Sequence, residues 1–323
     1  GGRTRSAARR RGAVVALGDV VLVVGDVIDD VVVRPLEATT PDSDTPAQIV
    51  ERPGGSGANV ACWLGWLDVP VRFAGRVGRA DLDRHARIFA GCGVDARLAA
   101  DGERPTGRIV VVAEPGGGRS MYVDRGANLG LSDADLPPGL LDGVGWVHVS
   151  GYALFADTAR PAVLDLLARA AAAGIEWSVD PSSVAFLRGS GPDRFVSWTA
   201  GAALCLPNED EAMLLAGLPA GDPAAAAARL ATHYPTVAVT LGRGGVLTAS
   251  RGSPPTLLAA HPARVVDGTG AGDAFAAGFL SRWVLEPAPA PAAQAGLAAA
   301  AVALGQLGGR PPRRPTAQED DAR

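Results

Sequence analysis

Lysine is missing altogether, so all 30 basic residues among the 323 are arginine. Any cation that neutralises phosphate here is therefore arginine or a metal ion, never an ammonium. The formal net charge of −4 argues against a nucleic-acid partner, whose binding surface would show a basic excess. Cysteine is scarce: Cys62, Cys92 and Cys205 lie far apart and follow no metal-ligand spacing, and an odd number does not suit a disulfide framework. They read as idle thiols of a reducing, cytoplasmic compartment. No run is long and apolar enough for a membrane span. Residues 14–28 are broken by Asp19 and Asp26, and 296–307 is short and weakly hydrophobic. The arginine-rich start (Arg3, Arg5, Arg9, Arg10, Arg11) lacks the apolar core of a signal peptide and reads as a disordered tail over 1–12. The four histidines are scattered, and Trp63 with Trp66 reads as helix core.

What is present is a folded, 47% hydrophobic chain rich in glycine and alanine. Residues 13–24 read as a buried strand, 58–67 as a helix after a glycine-rich turn, 71–77 as a strand and 81–92 as a helix closed by Gly93. The second half alternates: strands at 146–150, 176–180, 203–206 and 237–241, helices at 160–173, 210–216, 224–232 and 272–285, then an alanine-rich helix after the prolines at 287–291. Such alternation predicts an α/β fold with a mainly parallel sheet covered on both faces. Two stretches do not fit it. One is the polar 28–54, within which 34–54 reads as loop or exposed strand; the other is 108–124, where 108–113 and 120–124 read as a hairpin around the Pro-Gly-Gly-Gly turn at 115–118. Paired, they would make a small β lid over one end of the domain. The tail over 309–323 is too polar to order itself.

The segment Asp267-Gly268-Thr269-Gly270-Ala271-Gly272-Asp273-Ala274-Phe275 carries most of the chemistry. An apolar pair runs into a glycine-rich turn and straight into a helix. Its first amides, with no bulky side chains at Gly270, Ala271 and Gly272, form an anion site for a phosphoryl group in transfer. Asp273 beside it suits the group that orients an attacking hydroxyl and accepts its proton. The helix dipole should favour the ionised form and make it a weak base, tolerable where the transition state is loose. The bland alternative is an aspartate capping a helix.

This run resembles the second signature of the PfkB (ribokinase-like) carbohydrate kinase family, and further matches follow in the family's order over about 13–308. Gly54-Gly55-Ser56-Gly57-Ala58-Asn59 is similar to the sugar-binding turn, and Gly25-Asp26-Val27-Ile28-Asp29-Asp30 to the end of the first strand. Asn208-Glu209-Asp210-Glu211 resembles the N-x-x-E motif, and Thr240-Leu241-Gly242-Arg243-Gly244-Gly245 the turn beside the nucleotide. The resemblance implies a three-layer α/β/α domain over 13–308, with lid segments at about 28–53 and 104–126, moving the γ-phosphoryl of Mg·ATP to a sugar hydroxyl. Asp273 would be the base and Gly270, Ala271 and Gly272 the anion hole. Asp30 or Asp26, Gly54, Gly55 and Asn59 would hold the substrate, and Arg125 would reach an anionic group on it. Asn208 and Glu211 would hold Mg²⁺ largely through water. Asn208, Thr240, Gly242, Gly245 and Thr269 would meet the nucleotide, with Asp267 and Thr269 beside a monovalent cation such as K⁺. Lid pairing would make a homodimer.

Each match has a plainer reading. Asn59 could cap its helix, Asn208 and Glu211 could be a capping box, and Arg125 could be a surface arginine. The chain also departs from the family. Ala80 and Asp83 replace the Asp and Gly after Gly75-Arg76-Val77-Gly78, and Ser56 replaces the lysine of ribokinases proper, so ribose is not implied. The rivals are a nucleoside kinase and a catalytically silent sugar-binding protein on the same fold.

Overall fold

The computed structural model describes residues 18–39, 42–113 and 119–312. The N-terminal tail, the turn at 115–118 and the chain beyond 312 lie outside the described residues. Among the described residues the main sheet has nine strands, β1 (Val20–Val24), β4 (Val71–Gly78), β5 (Asp95–Asp101), β8 (Val144–Ser150), β9 (Glu176–Asp180), β10 (Leu204–Cys205), β11 (Thr236–Thr240), β12 (Val246–Ser250) and β13 (Thr256–Leu258). Their spatial order is β13-β12-β11-β10-β9-β8-β1-β4-β5. Every pair from β11 to β5 is parallel, and β12 and β13 add an antiparallel edge.

Why the sheet sits in the middle is legible on β1, whose central residues are apolar at every position. Val21 and Val23 join a core with α1 (Ser56–Trp66), α9 (Ala271–Trp283) and α10 (Pro289–Leu304). Leu22 and Val24 join the opposite core with α4 (Arg160–Ala172), α7 (Glu209–Leu215) and α8 (Pro223–Leu230). A strand buried on both faces needs that composition. The remaining helices are α2 (Leu82–Gly91), the single turn α3 (Tyr152–Phe155), α5 (Val184–Ser190) and α6 (Pro192–Trp198). Among the described residues no helix is long and apolar enough to cross a membrane.

The second sheet has the order β3-β2-β6-β7, with β2 (Ile28–Pro35), β3 (Ala47–Gly54), β6 (Gly107–Ala113) and β7 (Arg119–Asp124). The two stretches that broke the α/β alternation do pair, β2 with β6 in parallel. Residues 34–54, read partly as loop, contribute a full strand at 47–54. The sequence reading passed over β5, β12, β13, α5 and α6, all short or lacking a clean period. At the family departure, Asp81 does the holding: it accepts from Thr106 Oγ1 at 2.7 Å, and that oxygen accepts from Gly78 N–H at 3.1 Å.

The C-terminal expectation needs correction. Residues 309–312 are not a loose tail: Gly309 is buried, and its carbonyl accepts from Trp63 Nε1 at 2.9 Å. The thiols of Cys62 and Cys92, distant in sequence, face each other across α1 and the end of α2.

Candidate active site

The site lies at the carboxyl ends of the parallel strands, where open α/β sheets leave a crevice. Helix α1 reaches it because its start lies directly on the end of β1. A Cβ at Gly25 or Gly57 would come within 2.8 Å of the other's Cα, so only glycine permits the approach. Helix α9 enters through Gly270, held in the left-handed region at φ 74°. A Cβ there would stand 2.4 Å from Gly309 Cα, a second reason for glycine.

Asp273 is the third residue of α9, and both carboxylate oxygens are held by α1. Ser56 Oγ–H donates to Oδ1 at 2.8 Å and Asn59 Nδ2–H to Oδ2 at 2.7 Å. Burial pushes the Asp273 carboxyl up to about 6, against the opposing pull of Asn59, Ser56 and Arg310. Burial therefore outweighs the helix dipole, and the group is a stronger base than the sequence suggested. Asn59 is no helix cap, since its amide N–H already bonds Gly55 O at 2.8 Å. Among the described residues its buried Oδ1 has no partner, an acceptor suited to a hydroxyl donor.

A cavity of about 430 Å³ opens in front of Asp273. Asp26, Asp30, Gly55, Ser56, Asn59, Arg125, Asn208, Glu211, Thr240, Thr269, Gly270 and Gly272 all line it, and Ile109, Val111, Met121 and Val123 from the small sheet form its apolar wall. Gly54, Ala271, Gly242, Gly245 and Asp267 do not line it. Gly54 lies under Asp30, where a Cβ would meet Oδ2 at 2.3 Å. The amide of Ala271 makes a long 3.4 Å bond to Gly268 O. Gly242 and Gly245 shape the turn after β11, both at positive φ.

The acidic residues divide by partner. Asp29 faces away and pairs with Arg84 at 2.5 Å. Burial alone would raise its carboxyl, but His85 and Arg84 hold it well below the usual range. Among the described residues Asp30 has no such partner, and burial, with Asp273 nearby, pushes it up to about 6 despite Arg310. Asp26 and Arg125 grip each other, with Nε–Oδ2 at 3.0 Å and Nη2–Oδ1 at 2.8 Å, both side chains only 7% exposed. Arg125 is thus neither a surface arginine nor an unpaired receptor for an anion.

Asn208 and Glu211 form the capping box that the sequence allowed: Glu211 N–H donates to Asn208 Oδ1 at 2.9 Å and Asn208 N–H to Glu211 Oε2 at 3.0 Å. Glu211 nevertheless faces the cavity, and burial pushes its carboxyl up. Two cavity residues were missed by sequence reading. Ser56 was noted only as a departure. Asp180, at the end of β9, is half-buried, and desolvation with Glu211 and Asp273 nearby raises its carboxyl strongly. Its position closing a central parallel strand was the available signal. Tyr152 also lines the cavity, and burial raises its phenol to about 12. Among the described residues no three His, Cys, Asp or Glu side chains could hold a metal by themselves.

Residues 19–317 match the family described as pfkB family carbohydrate kinase. The chain belongs to that family. It is 32% identical over 270 residues to a fructokinase from Klebsiella pneumoniae, covering 81% of this chain and 83% of that one. A probable sugar kinase from Rhizobium etli superposes with a TM-score of 0.80 at 26% identity, covering 94% and 97% of the two chains. An adenosine kinase from Sinorhizobium meliloti gives 0.81 at 25% identity, covering 92% and 96%. The chain is therefore an ATP-dependent kinase of the sugar or nucleoside class, on the ribokinase-like fold.

Proposed function

We propose that this kinase phosphorylates a neutral polyol, a free sugar or the ribosyl part of a nucleoside, with Asp273 as base. The observation that carries the reading is the doubly braced, half-buried Asp273 at the tip of α9, in one cavity with Asp30 and with Asn59 Oδ1, which has no partner among the described residues. Asp30 and Asn59 hold adjacent hydroxyls, since a carboxylate accepts two hydrogen bonds and the amide oxygen accepts another. Asp273 takes the proton of the attacking hydroxyl, while the amides at the start of α9 receive the charge spreading over the transferred phosphoryl. Thr240 and Thr269 line the nucleotide side, with Gly242 and Gly245 shaping the turn beneath it.

Asn208 and Glu211 fit the outer surroundings of Mg²⁺: burial has raised the Glu211 carboxyl, and a hard cation's charge would favour its ionised form. That ion would supply charge neutralisation to the triphosphate. Asp267 does not call for K⁺. Its Oδ1 accepts from the Thr269 N–H at 3.0 Å and hydroxyl at 2.8 Å, and its Oδ2 from Gly308 N–H at 3.0 Å.

Neutral acceptors are favoured because Asp30 and Asp273 face the cavity as carboxylates ionised near neutral pH, and the one arginine lining it among the described residues is already paired with Asp26. The apolar lid wall and Tyr152 give the nucleoside reading specific support, as surface for a base. The opposite lid face exposes Ile49 (64%) and Tyr122 (65%), which suits lid-to-lid pairing of two copies in the cytoplasm. ADP release from Mg·ATP with D-fructose, D-ribose, adenosine and fructose 6-phosphate tests the reading. Turnover of a neutral acceptor that collapses in Asp273→Asn is expected. Preference for the phosphorylated sugar, or an Asp273→Asn enzyme at full rate, overturns it.

A further inference from the structure

Residues 308–310 touch both halves of the site at once. Gly308 N–H donates to Asp267 Oδ2 at 3.0 Å, which ties the segment to the loop before α9. Gly309 packs on Gly270, and a Cβ at Gly309 would stand 2.3 Å from Asn59 Nδ2. Arg310 then reaches under the substrate turn. Its Nη2 donates to Gly54 O at 3.0 Å, and its Nη1 to Ala58 O and to Cys62 Sγ, the latter at 2.9 Å. The guanidinium also sits 5.3 Å from the Phe89 ring. The carbonyls it grips flank Ser56 on one side and adjoin Asn59 on the other, and these two residues hold Asp273.

We propose that Arg310 is a positioning residue of the kinase, clasping the Gly54–Asn59 turn to the start of α9 and bringing a cation to bear on Asp30 and Asp273. The role rests on the reading of Asp273 as base. The electrostatic surroundings leave it to Arg310. Asp30 of β2, Asp180 at the end of β9 and Tyr152 of α3 all raise, or are raised by, charge at 273, and Glu211 adds to Asp180. Arg125 is spent on Asp26. Arg310 acts electrostatically on both Asp30 and Asp273. In a chain without lysine, no ammonium can stand in for it.

The test is a direct titration that needs no acceptor. Full-length wild type, Arg310→Lys and Arg310→Gln, carrying carboxyl-¹³C aspartate, are titrated by NMR, with the Asp273 resonance assigned by its loss in Asp273→Asn. Loss of the facing cation in Arg310→Gln should move the Asp273 midpoint up by about one pH unit, and Arg310→Lys should return most of it. With Mg·ATP and D-fructose, kcat of Arg310→Gln should fall about fivefold at pH 6 and recover toward pH 9. A midpoint unchanged across the three proteins, each confirmed folded by thermal melt, overturns the proposal, as does an equal shift in Lys and Gln. If Asp273→Asn keeps full rate, the base assignment fails instead, and the titration still decides Arg310.

Discussion

Replacing Asp273 by asparagine should abolish turnover and stabilise the fold. The reasoning starts from the carboxyl at about 6 in the folded state, against 3.8 ordinarily, a rise caused first by burial. Below pH 3.8 the group is protonated folded or unfolded, and costs nothing. Between there and about 6 the unfolded chain ionises while the folded one holds its proton, so stability falls as pH rises. Above that window the full cost stands, about 3 kcal/mol at roughly 1.4 kcal/mol per pH unit. Asparagine removes the titration and can keep both braces: its Oδ1 accepts from Asn59 Nδ2, and its amide donates to Ser56 Oγ. For a domain of this size that is a rise in Tm on the order of 5 °C. Thermal unfolding followed at pH 8 and at pH 4 checks it, with the gap large at pH 8 and nearly closed at pH 4. In parallel, ADP release at pH 8 should drop by about 10²–10⁴. A variant that melts no higher than wild type at pH 8, or a gap unchanged at pH 4, refutes the account of a carboxyl raised by desolvation.

Other expectations follow from the same geometry. With Asp30 and Asp273 both titrating at about 6 and both needed ionised, kcat/KM should fall on the acid side of pH 6 and stay level from 7 upward, read as initial rates across pH. Asn59→Ala removes a brace on Asp273 and the unpartnered acceptor, so kcat/KM should fall about 10–100-fold while thermal stability moves little. Breaking the Asp26–Arg125 pair with Asp26→Asn or Arg125→Met should cost about 3–5 kcal/mol by denaturant titration, and the double variant should recover part of it. Gly57→Ala drives a methyl into Gly25 and should cost about 1–3 kcal/mol, with a loss of activity as α1 is displaced.

How much of this could be read beforehand divides along physical lines. The sheet and its two helical layers were legible because β1 is apolar throughout and the second half alternates with clear periods. The tip of α9 was legible because Gly270, Ala271 and Gly272 signal a bare helix start whatever the fold. What escaped is what only folding brings together. Asp180 is an ordinary strand-end residue until β9 lands beside α7 and α9. Arg310 sat in a stretch too polar to order itself, yet it orders because Gly270, Trp63 and the carbonyls of α1 supply contacts from far along the chain. Arg125 was assigned to a substrate anion because nothing in sequence shows that Asp26 would reach it. Capping and cavity roles at Asn208 and Glu211 proved compatible, since the box uses one oxygen of each side chain and leaves Glu211 on the wall.

The absence of lysine and the crowding of carboxylates point to one electrostatic logic. A wall whose ionised carboxylates are Asp30 and Asp273, and whose one lining arginine among the described residues is paired with Asp26, disfavours an anionic acceptor, so discrimination against phosphorylated sugars needs no steric gate. The same wall would repel the phosphoryl group itself were the charge not met by uncharged donors, the amides at the tip of α9, which the sequence keeps bare. Burial does the rest. By raising Asp30 and Asp273 to about 6 it places them just below neutral pH, ionised in use yet basic enough to take a hydroxyl proton as the bond to phosphorus forms. The selectivity for neutral acceptors and the strength of the base thus come from one source, partly desolvated carboxylates crowded around the crevice at the ends of the parallel strands.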